Sequence, residues 1–456
     1  MVQTIKYMGA NASATEGELL RVAIAIFLLT LTLVIWQPRG LSIGFSALGG
    51  ALLALATGVI TLQDIPTVWA IVWNATFTLI ALVIISLILD EAGFFRWLAL
   101  QVARISIGRG HVLFPLVVLL GALVTALLTN DGTALIWTPT VMEIVLLLGF
   151  SPKATLAFVF ATGFIADATS LPLPVSNLVN IISADYFQIS FLRYIMVMVP
   201  VNFIAIATSL GVLWFYFDRD IPSTYDLNRL PPPKSVIRDP VVCQWSFAIL
   251  GLLLIGYFFA ERLSLPICFI AALSALFMVA LAGRWFHRDD TPVIEIRKVL
   301  WEAPWQVILF SLGMYLVVIG LQNAGMTALL SQPLEELSTW GLTLAAIGTG
   351  FLATLLSNVM NNLPTVLINA LAIQDATGLD PAIREAMVYA NVISCNIGAK
   401  ITPIGSLSTL LWLDVLRRKG LGLSWSQYSR IAFILTIPVL FVSLLGLAIW
   451  LPWLIA

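Results

Sequence analysis

Long apolar runs separated by short polar clusters organise this chain. They fall at 20–36, 43–60, 68–89, 112–129, 133–150, 154–187 and 191–217, and again at 243–260, 264–283, 300–322, 341–357, 362–373, 382–416 and 430–455. Runs of this length and purity predict membrane helices. One of them is too long for a single span. The 32 residues between Arg384 and Arg417 would extend about 48 Å as a straight helix, against a hydrocarbon core of about 30 Å. Gly398, Pro403 and Gly405 interrupt it, which predicts a helix broken at mid-membrane. The freed backbone groups must then face protein or a wet cavity. The run 154–187 is interrupted in the same way by Pro172 and Pro174, which have no amide proton to give a helix.

The pattern occurs twice. Trp73 and Leu89-Asp-Glu-Ala-Gly93 match Trp305 and Leu321-Gln-Asn-Ala-Gly325, 232 positions on. Leu127-Leu-Thr-Asn130 matches Leu355-Leu-Ser-Asn358 at an offset of 228, and Pro174-Val-Ser-Asn-Leu178 matches Pro403-Ile-Gly-Ser-Leu407 at 229. Apolar sequence resembling apolar sequence accounts for the leucines but not for the aligned asparagines and prolines. We therefore expect an all-α polytopic membrane protein of two homologous halves, as in many secondary transporters. The expected division is a polar tail at 1–19, a first transmembrane repeat at 20–217, a polar proline-rich linker at 218–242 and a second repeat at 243–456. If 112–129 with 133–150, and 341–357 with 362–373, are re-entrant hairpins, each half has five spans and the second half is inverted. That gives about ten spans plus two hairpins, or twelve spans if the hairpins cross. The amphipathic pieces Phe94–Ile105 and Gly325–Thr339 read as interfacial helices.

Composition narrows the class. The chain is 60% hydrophobic and 10% charged, where a soluble domain carries about 25% charged residues. No basic patch suggests nucleic acid. The first twenty residues lack a signal-peptide pattern, so the first span is expected to carry targeting. Basic residues orient the spans. In the ten-span reading, 17 Lys and Arg residues between Arg39 and Arg430 fall on one face and five (Lys6, Arg21, Arg193, Arg262, Arg384) on the other. The positive-inside rule makes the richer face cytoplasmic and puts both termini outside.

The polar breaks carry the candidate chemistry. Thr129-Asn-Asp-Gly-Thr133 sits at the turn of the first hairpin, and Ser357-Asn-Val-Met-Asn-Asn-Leu-Pro364 at the turn of the second. The first can be read as a surface turn; at half depth it brings Asn130, Asp131 and Thr133 to the bilayer middle. Asn358, Asn361 and Asn362 are uncharged groups with both donors and acceptors. The breaks add Ser170 and Asn177 from the first half and Cys395, Asn396, Thr402 and Ser406 from the second. Asp131, Asp167 and Lys400 are the ionisable groups expected inside the membrane, where a charge costs about 2.5–3.5 kcal/mol on insertion scales. They must pair or change protonation. A proton carrier and a static Lys–Asp pair are both consistent with the sequence, and which carboxylate titrates stays open. Glu143 and Asp414 lie nearer the interfaces.

Other chemistries lack their residues. Cys243, Cys268 and Cys395 fall at different depths, and His111 and His287 fall in loops, so no metal site or cofactor is expected. The chain has no Gly-x-x-x-x-Gly-Lys-[Ser/Thr] loop, no His-Glu-x-x-His and no Gly-x-Ser-x-Gly, which argues against an enzyme.

Several strings identify a resemblance. Trp73-Asn-Ala-Thr76, Asn130-Asp-Gly132, Gly163-Phe-Ile-Ala-Asp167, Val175-Ser-Asn-Leu-Val-Asn180, Gly313-Met-Tyr-Leu-Val-Val318, Met360-Asn-Asn362, Tyr389-Ala-Asn-Val-Ile393 and Ile401-Thr-Pro-Ile-Gly-Ser-Leu407 closely resemble the bacterial arsenite/antimonite efflux permeases of the ArsB type. The resemblance runs over nearly the whole chain and reaches a larger ion-transporter superfamily with paired re-entrant hairpins. It implies export of arsenite and antimonite, as hydroxides, across the bacterial inner membrane by proton antiport. Lipid is then the surrounding medium, and some members of the family also pair with a soluble ATPase subunit. A neutral tris-hydroxide suits amides and hydroxyls such as Asn130, Asn177, Asn358, Asn361 and Thr402. The alternative is a superfamily relative that carries a carboxylate or another anion with sodium or protons, with Lys400 on the anion.

Overall fold

The computed structural model describes residues 2–285, 292–303 and 305–455, and every regular element among them is helical. His287, placed above in a loop, lies outside these residues. Among the described residues, eight helical segments are long and apolar enough to cross a membrane: Gly17–Trp36, Asp64–Glu91, Gly110–Leu127, Phe191–Asp220, Pro240–Arg262, Ile296–Asn323, Leu342–Met360 and Trp425–Ile455. Two shorter apolar helices, Ile43–Ala56 and Ile267–Ala282, accompany them. The first helix begins within the polar stretch, running unbroken from Val2 to Trp36.

Two helix pairs fold back at sharp turns. Gly110–Leu127 ends at Leu128, and the chain restarts at Asn130 under the Thr129 cap, whose hydroxyl accepts from the Gly132 amide at 3.0 Å. A π turn over Thr133–Trp137 then leads into Thr138–Leu147. Leu342–Met360 turns at Asn361 into Asn362–Asp375.

Two further helices are interrupted where the prolines and glycines predict. Pro152–Ala168 resumes as Leu178–Tyr186, and Pro381–Asn396 resumes as Leu407–Arg418. Their starts are built alike. Ser151 and Asp380 cap the first turn, each followed by a proline whose missing amide costs nothing there. In the gaps, 3-10 turns at Pro174–Ser176 and Gly398–Ile401 keep the chain compact.

Helix packing interleaves the two ends of the sequence. Ile43–Ala56 packs on Trp305–Asn323, Ile267–Ala282 on Asp64–Glu91, and Phe191–Phe217 on Trp425–Ile455. Close approach is possible because Gly313 lies on the backbone of Ala47, where a side chain would collide. Ser42 Oγ donates to Gln306 Oε1 at 2.6 Å across the same seam. Gly93 and Gly325 adopt nearly one conformation, φ 84, ψ 13 and φ 87, ψ 12, in the left-handed region that glycine tolerates. Each opens an amphipathic helix, Phe94–Ile105 and Met326–Ser338.

The polar stretch after Phe217 is fastened to the helices it crosses. Tyr225 N donates to Gly108 O (2.8 Å), Tyr225 Oη to Ala103 O (2.5 Å) and Arg238 N to Ala92 O (2.9 Å). Burial of Tyr225 raises its phenol above the usual range. Ile221 and Leu230 anchor the stretch in the apolar core. Asp239 then caps Pro240–Arg262 through the amides of Val241 and Val242, and it accepts from Arg284 at 2.9 Å.

Candidate functional site

The two turns and the two breaks converge. Asp167 is fully buried in the last turn of Pro152–Ala168, facing the carbonyl end of its own helix, which disfavours a charge. Its neighbours offset this. Asp167 Oδ1 accepts from Asn130 Nδ2 at 2.7 Å and from Ser408 Oγ at 2.6 Å. Oδ2 accepts from Ser406 Oγ at 2.9 Å and pairs with Lys400 Nζ at 3.0 Å. Ser406 and Ser408 open the helix Leu407–Arg418, so the carboxylate also sits at a helix N-terminus. Asn177, the cap of the matching half-helix, accepts from the Val179 amide; Ser406 makes no such bond and gives its hydroxyl to Asp167. Lys400 Nζ also donates to Gly163 O at 2.5 Å.

Beside this ion pair lies an uncharged knot centred on Asn396. Its Oδ1 accepts from Ser170 Oγ (2.7 Å) and Asn177 Nδ2 (2.5 Å), and its Nδ2 donates to Asn180 Oδ1 (2.8 Å) and Val392 O (2.7 Å). That uses the full capacity of one amide. Asn180 Nδ2 in turn donates to Ser170 O and Leu173 O, holding the first break in shape.

The second turn is clasped to the second break. Asn358 donates to Thr354 O and Gly398 O, and its Oδ1 accepts from Thr402 N at 2.7 Å. Thr402 Oγ1 donates to Asn358 O. Asn361 Nδ2 donates to Ile404 O at 2.8 Å, from a backbone at φ 78 that a non-glycine residue rarely adopts. Asn362 N donates to Gly405 O, while its buried Oδ1 has no partner among the described residues.

Asp131 is 7% exposed, and no hydrogen bond or ion pair reaches its side chain among the described residues. Thr133 donates to its own turn at Thr129 O. Cys395 makes none of the Asn396 bonds; its thiol lies 3.5 Å from Asn391 Oδ1, which also accepts from Asn369. Glu143 pairs with Arg96, and Asp414 with Arg418, in exposed ion pairs. No group of His, Cys, Asp and Glu fit to hold a metal occurs among the described residues. Sequence reasoning passed over Asn180, Ser408, Asn369 and Asn391. Asn180 was legible as the residue one helical turn past Asn177; Ser408 needed the fold that brings Asp167 to it.

Known proteins match this chain closely. A family model described as arsenical pump membrane protein covers residues 22–451. The arsenical pump membrane protein of Escherichia coli is 55% identical over 425 residues, 93% of this chain and 97% of its own length. That of Yersinia enterocolitica is 56% identical over the same shares. Among solved structures, the Alcanivorax borkumensis YdaH transporter, described as having an unusual topology, shares the fold at a TM-score of 0.52, with 15% identity and 88% of each chain covered. The chain therefore belongs to the arsenical pump membrane protein (ArsB) family.

Proposed function

We propose that this protein exports trivalent arsenic and antimony, as neutral hydroxides, across the bacterial inner membrane by proton antiport with alternating access. One observation carries the reading: the buried cation is already committed. Lys400 is paired to Asp167 and to the Gly163 carbonyl, so no free positive charge is offered to an anion. What adjoins the pair is an uncharged set of amides and hydroxyls, Asn130, Ser170, Asn177, Asn396, Ser406 and Thr402. A tris-hydroxide, which both donates and accepts, can exchange with their bonds at about 1 kcal/mol net each. Cargo enters by replacing the links that Asn396 now makes to Ser170 and Asn177.

The architecture we infer is two inverted repeats, each with a re-entrant hairpin and a broken helix, divided by the stretch 218–242. The reciprocal packing of 43–56 on 305–323 and of 267–282 on 64–91, with the shared geometry of Gly93 and Gly325, supports it. The basic-residue count favours both termini outside.

The test is arsenite uptake into everted membrane vesicles with an acid interior, with and without sodium, and with small carboxylates as competitors. Uptake that follows the pH gradient, ignores sodium and resists carboxylates supports the reading. Sodium dependence with carboxylate competition returns the site to the anion-carrier alternative.

A further inference from the structure

We propose that Asp131 is the carboxylate that takes and releases the coupling proton, while Asp167 stays ionised as the fixed partner of Lys400. This rests on the antiport reading above and assigns its central step to one residue.

Asp167 is held by Asn130, Ser406, Ser408 and Lys400. A proton on Asp167 would waste a charge-assisted bond and strand Lys400 as an unpaired buried cation, which membrane burial penalises. Asp131 is its neighbour through Asn130, whose amide binds Asp167. It is nearly as buried, yet no donor or cation holds it. With all three groups charged, the cluster carries one uncompensated negative charge. A proton on Asp131 removes that charge and breaks no existing bond.

The elements packed around 130–132 are 64–91, 110–127, 133–137, 152–168 and 407–418. Their other ionisable groups are occupied or distant. Glu91 pairs with Arg238 and Lys298, Asp414 with Arg418, and His111 lies beside Asp218. Glu143, farther along the same hairpin arm, pairs with Arg96. Lys153, Arg417 and Asp64 stand at far helix ends. Asp90 is the one further candidate. It lies one turn beyond Ser86, the residue on which Gly132 packs, and close to Arg96.

In antiport, Asp131 takes a proton from outside as cargo leaves, and gives it to the cytoplasm before cargo reloads. The experiment is arsenite uptake into everted vesicles against internal pH, for wild type, Asp131→Asn, Asp131→Glu and Asp90→Asn, with the carboxyl infrared band of each purified protein followed across the same pH range. We expect wild-type uptake to rise with internal acidity, Asp131→Asn to lose the pH dependence together with a titrating carboxyl band, and Asp90→Asn to keep both. Asp131→Glu should keep the dependence with a displaced midpoint. A wild type indifferent to pH overturns the antiport reading itself. A pH-dependent wild type with a pH-dependent Asp131→Asn, or with the dependence lost only in Asp90→Asn, overturns the assignment and leaves antiport standing. Should Asp131→Asn not assemble, Asp131→Glu decides, and an unmoved midpoint rejects the proposal.

Discussion

Lys400 Nζ and Asp167 Oδ2 stand 3.0 Å apart at 3% and 1% side-chain exposure, though they lie 233 positions apart in the sequence. The pair bolts the second break to the end of the first interrupted helix. Removing one partner leaves an uncompensated buried charge, at about 3–5 kcal/mol. Lys400→Met and Asp167→Asn should each destabilise the purified protein by that order. The double variant should recover part of the loss, because neither charge is then stranded. Thermal unfolding of all four forms measures the coupling, and additive losses would contradict it.

Asn396 links Pro381–Asn396 to three side chains from the first part of the chain at once, Ser170, Asn177 and Asn180. Asn396→Ala leaves those groups short of partners, at about 1–3 kcal/mol for each buried group left unsatisfied. We expect arsenite uptake to fall more than tenfold, with a raised KM if the knot is where cargo binds. A normal KM with a lowered maximal rate would make Asn396 a mechanical link instead.

Asn361 holds φ 78 and ψ 153 at the second turn. Such a conformation costs a non-glycine residue about 1–3 kcal/mol. Asn361→Gly relieves it while losing the bond to Ile404 O, whereas Asn361→Ala keeps the strain and loses the bond. Asn361→Ala should therefore be the less stable of the two in a thermal melt, and the reverse order would reject strain at this turn.

Gly163 lies against the Trp412 indole, and its carbonyl receives the Lys400 ammonium. Gly163→Val must displace the ring. Overpacking of this kind costs about 1–3 kcal/mol, and a shift of the carbonyl disturbs Lys400 as well. Tryptophan fluorescence and vesicle uptake should change together.

Cys395 is buried among apolar side chains, and its thiol lies 3.5 Å from Asn391 Oδ1, one turn back on the same helix. Cys395→Ala should cost about 1 kcal/mol, as a modest core change does, and leave arsenite uptake intact. Loss of uptake with normal stability would bring the thiol into the cargo path.

The fold was legible where the sequence breaks its own rule. Pro172, Pro174, Gly398 and Pro403 interrupt runs too long to span once, and both interruptions lie there. The stretch 218–234 was harder to read. Its prolines and charges mark a linker, but Ile221, Tyr225 and Leu230 pin it down, and only the surfaces they meet reveal that. At the site, residue types pointed to Asp167 and Lys400 as intramembrane charges without fixing their relation. Distance in sequence hid the pairing. The aligned asparagines also diverge: Asn130 stands after its turn and bonds a carboxylate, while Asn358 stands before its turn and clasps the backbone at Gly398 and Thr402. Pattern matching locates equivalent positions, but a shift in where the chain bends gives them different work.

The interleaving of 43–56 with 305–323 has a consequence for biosynthesis. Ile43–Ala56 has only 14 residues, too few to cross the bilayer at full depth, and its main packing surface begins at Trp305. A ribosome adding about 5–20 residues per second needs roughly 12–50 s to make the chain between them. For that interval the nascent protein holds a stunted helix in lipid without its mate, and insertion is complete only when the later segment arrives to claim it.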